Sequence, residues 1–241
     1  MAEVTAYKYR IEPQDVDFTL RASAASIISY MLNVAGTDAD SKGFGVASLQ
    51  GNKCTWVLSR LGVEIYRQAE QYSNIVIDTW VNEFNRLSST RNFRMRIGNE
   101  VLASCVSQWC MFNMETRQVV DMSQIKSVYE RAMVEEPSPI SHPARLRAVE
   151  PAHTMVRPVV YSDIDFNRHV NTMRYIDMMF DTMPLELIEK SRSMRIDLNF
   201  IAEARYGEVL TVGYVVEDNV WIFEIMSDSG KVLCRARIEY R

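Results

Sequence analysis

The chain has 241 residues, a formal net charge of −4 at pH 7, 47% apolar positions and 24% charged ones. These proportions suit an ordinary globular protein with enough apolar mass for a sizeable core, and they give no reason to expect nucleic acid or an anionic membrane as partner. Cys54, Cys105, Cys110 and Cys234 form no CxxC pair, and His142, His153 and His169 are scattered, so reduced thiols are expected and neither a metal nor a cofactor is.

In chain order, the opening MAEVTAYKYR lacks the apolar stretch and cleavage pattern of a secretory signal, and no later run approaches the roughly 18 apolar residues a membrane span needs. A cytoplasmic protein is the expectation. Residues 15–18 read DVDF and are followed by TLRASAASIISYMLNVA, where Ile27, Ile28, Met31, Leu32, Val34 and Ala35 recur at helical spacing. TWVLSRLGVEIY (55–66), YSNIVIDTWV (72–81) and EVLASCVSQW (100–109) are rich in β-branched and aromatic residues and read as strands. The segment EEPSPISHPARLRAVEP (135–151) carries four of the chain's seven prolines and reads as a linker.

Beyond the linker the pattern returns. Residues 163–166 read DIDF, and NRHVNTMRYIDMMFDTM after them places Val170, Met173, Ile176, Met179, Phe180 and Met183 on one stripe. RSMRIDLNFI (192–201), YGEVLTVGYV (206–215) and KVLCRARIEY (231–240) then line up with the three earlier strands. Each half is predicted to be a short strand, one long buried helix and several long strands. A repeat of this length exceeds a solenoid unit and reads as a fused duplication. The expected fold is α+β, a double hotdog, in which two tandem antiparallel sheets each wrap a central apolar helix. The expected limits are 1–134 for an N-terminal hotdog domain, 135–150 for the linker and 151–241 for a C-terminal hotdog domain.

The two copies differ where chemistry would sit. Aligning DVDF with DIDF sets Thr19 opposite Asn167 and Arg21 opposite His169. Asp and Asn before a helix are common caps. Three polar groups at Asp165, Asn167 and His169 alternate along an extended bend and so project to one side, beside the free N–H groups that open a helix. That arrangement suits a site where negative charge develops.

DIDFNRHVNTMRYID resembles the turn-and-helix signature of the acyl-ACP thioesterases, the plant plastid enzymes and their bacterial relatives. GFG (43–45), TWVLSRLGVEIYR (55–67), IDTWV (77–81) and NRLSSTRNFRMR (85–96) extend the resemblance over nearly the whole chain. It implies hydrolysis of fatty acyl-ACP, with acyl carrier protein as partner; the internal pairing of a double hotdog leaves monomer and homodimer both open. The catalytic set it implies is Asp165, Asn167, His169 and, from FIAEARYG (200–207), Glu203. The family's cysteine would fall on Ala204, so a thiol nucleophile is not expected there. Glu203 or Asp165 would instead activate water, His169 would orient that water or protonate the leaving thiolate, and Asn167 with a helix N–H would hold the thioester oxygen. Direct carboxylate attack to give an anhydride is the other route. An acyl-CoA thioesterase, a non-catalytic acyl-binding protein and a hotdog dehydratase are the competing readings. Trp56, Trp80 and Met31 read either as ordinary core or as lining of an acyl slot, and Arg91, Arg94 and Arg96 either as a solvated face or as a basic patch for the acidic carrier.

Overall fold

The computed structural model describes residues 2–51 and 53–241. In chain order it contains β1 (Thr5–Arg10), α1 (Ala24–Ser41), α2 (Val46–Gln50), β2 (Cys54–Ile65), β3 (Asn74–Phe84), β4 (Ser89–Ile97), β5 (Glu100–Asn113), β6 (Gln118–Val119) and α3 (Lys126–Ala132). The second half supplies β7 (His153–Pro158), α4 (Thr172–Phe180), α5 (Leu185–Lys190), β8 (Met194–Phe200), β9 (Val209–Glu217), β10 (Val220–Ser227) and β11 (Val232–Tyr240). The strands join in one sheet ordered β1-β3-β4-β5-β2-β8-β11-β10-β9-β7, with β6 beside β5. Each half therefore has the same strand order read outward from a shared seam. At that seam β2 pairs antiparallel with β8, from Arg60↔Asn199 to Ile65↔Met194.

The sheet curls around its helices. Ser23 caps α1 by accepting the Ser26 N–H, and Ile27, Ile28, Met31 and Val34 then face the sheet with no solvent exposure. Burying such a side chain is worth about 1.5–3 kcal/mol relative to leaving it exposed. Asn171 caps α4 in the same way through the Met173 N–H, and Tyr175, Ile176, Met178 and Met179 enter the same core. The two helices pack on each other, and α1 lies against β3 and β4. This is the double hotdog.

The second helix is shorter than the Met stripe predicts. α4 stops at Phe180, a turn follows, and α5 begins only after Pro184. Proline lacks the N–H that a continuing helix would need and pushes the residue before it away from helical backbone. One strand alignment also moves by one residue. Tyr72 N donates to Ile11 O, and the corresponding donor to Val159 O is Gly207 N, not Tyr206 N. Tyr72 thus matches Gly207, both with positive φ, and Ile75 and Ile77 match the buried Leu210 and Val212.

Residues 134–152 carry no helix or strand and cross the outer face of the sheet. Glu136 O accepts from Trp80 Nε1 and Asn82 Nδ2 on β3. Farther along, Ala144 N and Leu146 N donate to Asp197 Oδ1 and Asn199 Oδ1 on β8. The strap is why Arg195, Asp197 and Asn199 are buried although they alternate with the core-facing Met194, Ile196 and Leu198. Among the described residues, no helix is long and apolar enough to cross a membrane.

Candidate active site

The bend before α4 is built from its own side chains. Asp165 N donates to His169 O at 2.9 Å and Arg168 N to Asp165 O at 3.0 Å, while Arg168 takes φ +63° to close the turn. Asp165 Oδ1 accepts the backbone N–H groups of Asn167 at 2.8 Å and His169 at 3.1 Å. Just before it, buried Asp163 binds Arg157 at 2.7 Å and accepts the Val160 N–H. The first copy repeats this pattern: Asp17 accepts the Thr19 N–H at 2.8 Å, Leu20 takes φ +59°, and Ala22 N donates to Ala69 O as Val170 N does to Ala204 O.

That backbone match extends the comparison of the copies to four positions. Asp17 stands for Asp165, Thr19 for Asn167, Arg21 for His169 and Gln68 for Glu203. In the first copy Arg21 is tied down, its Nη2 donating to Glu189 O at 3.0 Å beyond the seam, and Gln68 is buried. In the second copy the equivalent groups face a cavity. The bridge between His169 and Arg205 brings the 203–205 segment alongside the bend, and His169 Nε2 lies 3.3 Å from Glu203 Oε2. Arg117 Nη2 binds the same carboxylate oxygen at 2.6 Å.

Asp165, Asn167, His169 and Glu203 all line one cavity of about 680 Å³. The second half adds Thr172, Tyr175 and Phe200, and the first half supplies Leu32, Ala35 and Ala39 along α1 together with Phe44, Trp56 and Tyr129. The polar bend is open to solvent, since Phe166 is 89% exposed, whereas Phe44 and Tyr129 are buried beside the Arg91 guanidinium, which also lines the cavity. Gly45 is required where it stands, because a Cβ there would meet Asp40 Oδ1 at 1.7 Å.

Of the three apolar residues weighed for the slot, Trp56 lines the cavity, Met31 belongs to the core, and Trp80 is buried on the outer face under Arg94. The three arginines of TRNFRMR do not act alike. Arg91 turns inward and binds buried Asp38 at 2.6 Å, while Arg94 pairs with Glu136 and Arg96 with Asp78. Asp165 joins the site, with its Oδ1 accepting the two backbone N–H groups of the turn. Arg117 escapes sequence reading, because it sits in the β5–β6 turn, 86 positions from Glu203, among ordinary surface residues. Ala204 is fully buried, and burial pushes the Cys105 and Cys234 thiols up, away from thiolate chemistry.

A pair of fused hotdogs, with a polar bend at one end of an apolar cavity in only one copy, defines the class of protein. The description "acyl-ACP thioesterase N-terminal domain" matches residues 2–127, and "acyl-ACP thioesterase C-terminal domain" matches residues 147–241. The chain belongs to the acyl-ACP thioesterase family. The crystal structure of an acyl-ACP thioesterase from Bacteroides thetaiotaomicron superposes with a TM-score of 0.89 at 31% identity, covering 99% of this chain and 98% of that one. The 12:0-ACP thioesterase from Umbellularia californica shares the fold, with a TM-score of 0.86 at 20% identity over 99% of this chain and 97% of that one. The oleoyl-acyl carrier protein thioesterase 1 of Arabidopsis thaliana, a chloroplastic protein, is 23% identical over 84% of this chain and 61% of its own length. The chain spans about six tenths of the length of such curated relatives.

Proposed function

We propose that this protein hydrolyses fatty acyl-ACP to free fatty acid and acyl carrier protein. The observation that carries the reading is the His169–Glu203 contact of 3.3 Å at the mouth of an apolar cavity of about 680 Å³. Such a volume falls in the range of sites that enclose a small ligand. The division of labour follows the lining: α1 and its neighbours hold the acyl chain, and the bend with residue 203 supplies the chemistry. Buried Cys105 and Cys234, which form no disulfide, suit a reducing, cytoplasmic setting.

In the water route, the oxygen of a water molecule bonds to the thioester carbon as Glu203 takes its proton. The carbonyl π pair moves onto oxygen, where Asn167 and the start of α4 offer donors. Collapse restores the carbonyl and breaks the C–S bond, and the proton passes through His169 to the departing sulfur. Glu203 is favoured over Asp165 as base because Asp165 Oδ1 already accepts two backbone N–H groups. Arg117 holds Glu203 in register.

The test is thiol release from a panel of acyl-ACP and acyl-CoA substrates. Glu203→Gln and His169→Ala should each lower kcat by about 10²–10⁴-fold, the usual worth of general acid–base assistance. Asn167→Ala should cost about 10²–10³-fold if it binds the developing oxyanion. Unchanged rates in all three, or better turnover of CoA esters than of carrier esters, would sink the reading. A single turnover in ¹⁸O water that leaves label on the protein would replace water attack by the anhydride route.

A further inference from the structure

The two copies also differ one turn into their helices. Carrying the match of Asp17 with Asp165 forward sets Ile27 of α1 opposite Tyr175 of α4. Both side chains belong to the core, Ile27 with no exposure and Tyr175 with 3%. Isoleucine satisfies the packing in one copy, so the phenol hydroxyl is an addition confined to the copy that carries His169 and Glu203. A hydroxyl buried without a partner costs free energy, so its bonding pattern is informative.

Tyr175 Oη accepts the Ala204 backbone N–H at 3.3 Å. Ala204 O in turn accepts the Val170 N–H at 2.9 Å, which ties the residue after Glu203 to the bend from both sides. A phenol oxygen that accepts one hydrogen bond still has its own proton to donate. Burial raises the phenol's pKa, so the proton stays on. Tyr175 also lines the cavity, together with Asn167, His169, Thr172 and Glu203.

We propose that Tyr175 is a catalytic residue of this site, donating its O–H to the thioester carbonyl oxygen as negative charge grows there. The chain runs from Ala204 N–H to the phenol oxygen and from the phenol proton to the substrate oxygen. Each bond polarises the next in a medium of low dielectric. No bond to Tyr175 forms or breaks; it strengthens one hydrogen bond while water adds to the carbon and the C–S bond later parts. The inference rests on the thioesterase reading above.

Tyr175→Phe removes the donor and keeps the ring that meets Phe200 edge-on at 6.3 Å. Loss of one oxyanion donor should lower kcat on acyl-ACP by about 10²–10³-fold, with KM little changed. Affinity for a trifluoromethyl ketone analogue of an acyl-pantetheine, which adds a nucleophile to mimic the charged intermediate, should fall by a similar factor. Affinity for the free fatty acid, which lacks that charge build-up, should hold, while Tm should fall by a few degrees because the buried Ala204 N–H loses its acceptor. Should the variant prove insoluble, 3-fluorotyrosine at position 175 preserves shape, and its more acidic phenol should shift kcat. A wild-type protein that hydrolyses thioesters while the Phe variant keeps kcat and analogue affinity within about twofold would overturn the role of Tyr175 alone. A wild-type protein inert toward every thioester would overturn the thioesterase reading with it.

Discussion

At the residue scale, the two carboxylates of the site have different surroundings and should respond differently to the same change. Asp165 accepts backbone N–H groups, a task an amide oxygen also performs, so Asp165→Asn should keep kcat within a few-fold while Asp165→Ala loses about 1 kcal/mol of stability, as other lost caps do. Steady-state rates and chemical denaturation measure both effects. A collapse of kcat in the Asn variant would restore Asp165 as base. Arg117→Met frees Glu203 from its 2.6 Å partner, and kcat should drop about tenfold through lost orientation, with KM unmoved. Much of this site was legible before any coordinates, because a duplicated chain provides its own control: Thr19 against Asn167 and Arg21 against His169 mark where one copy departs. Arg117 was not legible, since nothing in the β5–β6 turn has a counterpart pointing to position 203.

At the element scale, the capped and periodic features were readable and the interruptions were not. α1 follows the 3.6 spacing of Ile27, Ile28, Met31 and Val34 and runs beyond that stripe to Ser41. The stripe in the second half runs on past Phe180, yet Pro184 ends the backbone pattern regardless of side-chain polarity. The one-residue shift at Tyr72 has a similar origin: matching tyrosines drew the alignment, whereas period-two burial of Ile75 and Ile77 fixes the register. Asp38 gives a prediction about acid stability. Burial by itself would raise its carboxyl pKa, but Arg91 and Lys42 together hold it below the ordinary value. A depressed folded pKa means the stability is present above the usual carboxylate range near pH 4 and is lost as pH falls through the folded value. Thermal scans on the acid side should therefore show wild type losing its Tm advantage over Asp38→Asn as pH drops. An advantage that persists or grows in acid would contradict the pairing.

At the scale of the whole molecule, the seam decides behaviour. β2 and β8 each complete the other's sheet, so neither half ends in a capped edge there. Residues 1–134 expressed alone should associate through β2, and light scattering should report dimers or larger species that residues 151–241 compete away on mixing. A well-behaved monomer of either half would show that the seam is dispensable. By itself the sequence determined the duplication, the α+β double hotdog and the polar bend, since these depend on periodicity and on local turn chemistry. The tertiary structure alone decided which carboxylate faces His169, where TRNFRMR points, and that α1 of one half walls a cavity whose reactive end belongs to the other. Those outcomes depend on contacts between residues far apart in the chain, and a helical stripe or alternating strand specifies which face is buried without specifying what it is buried against.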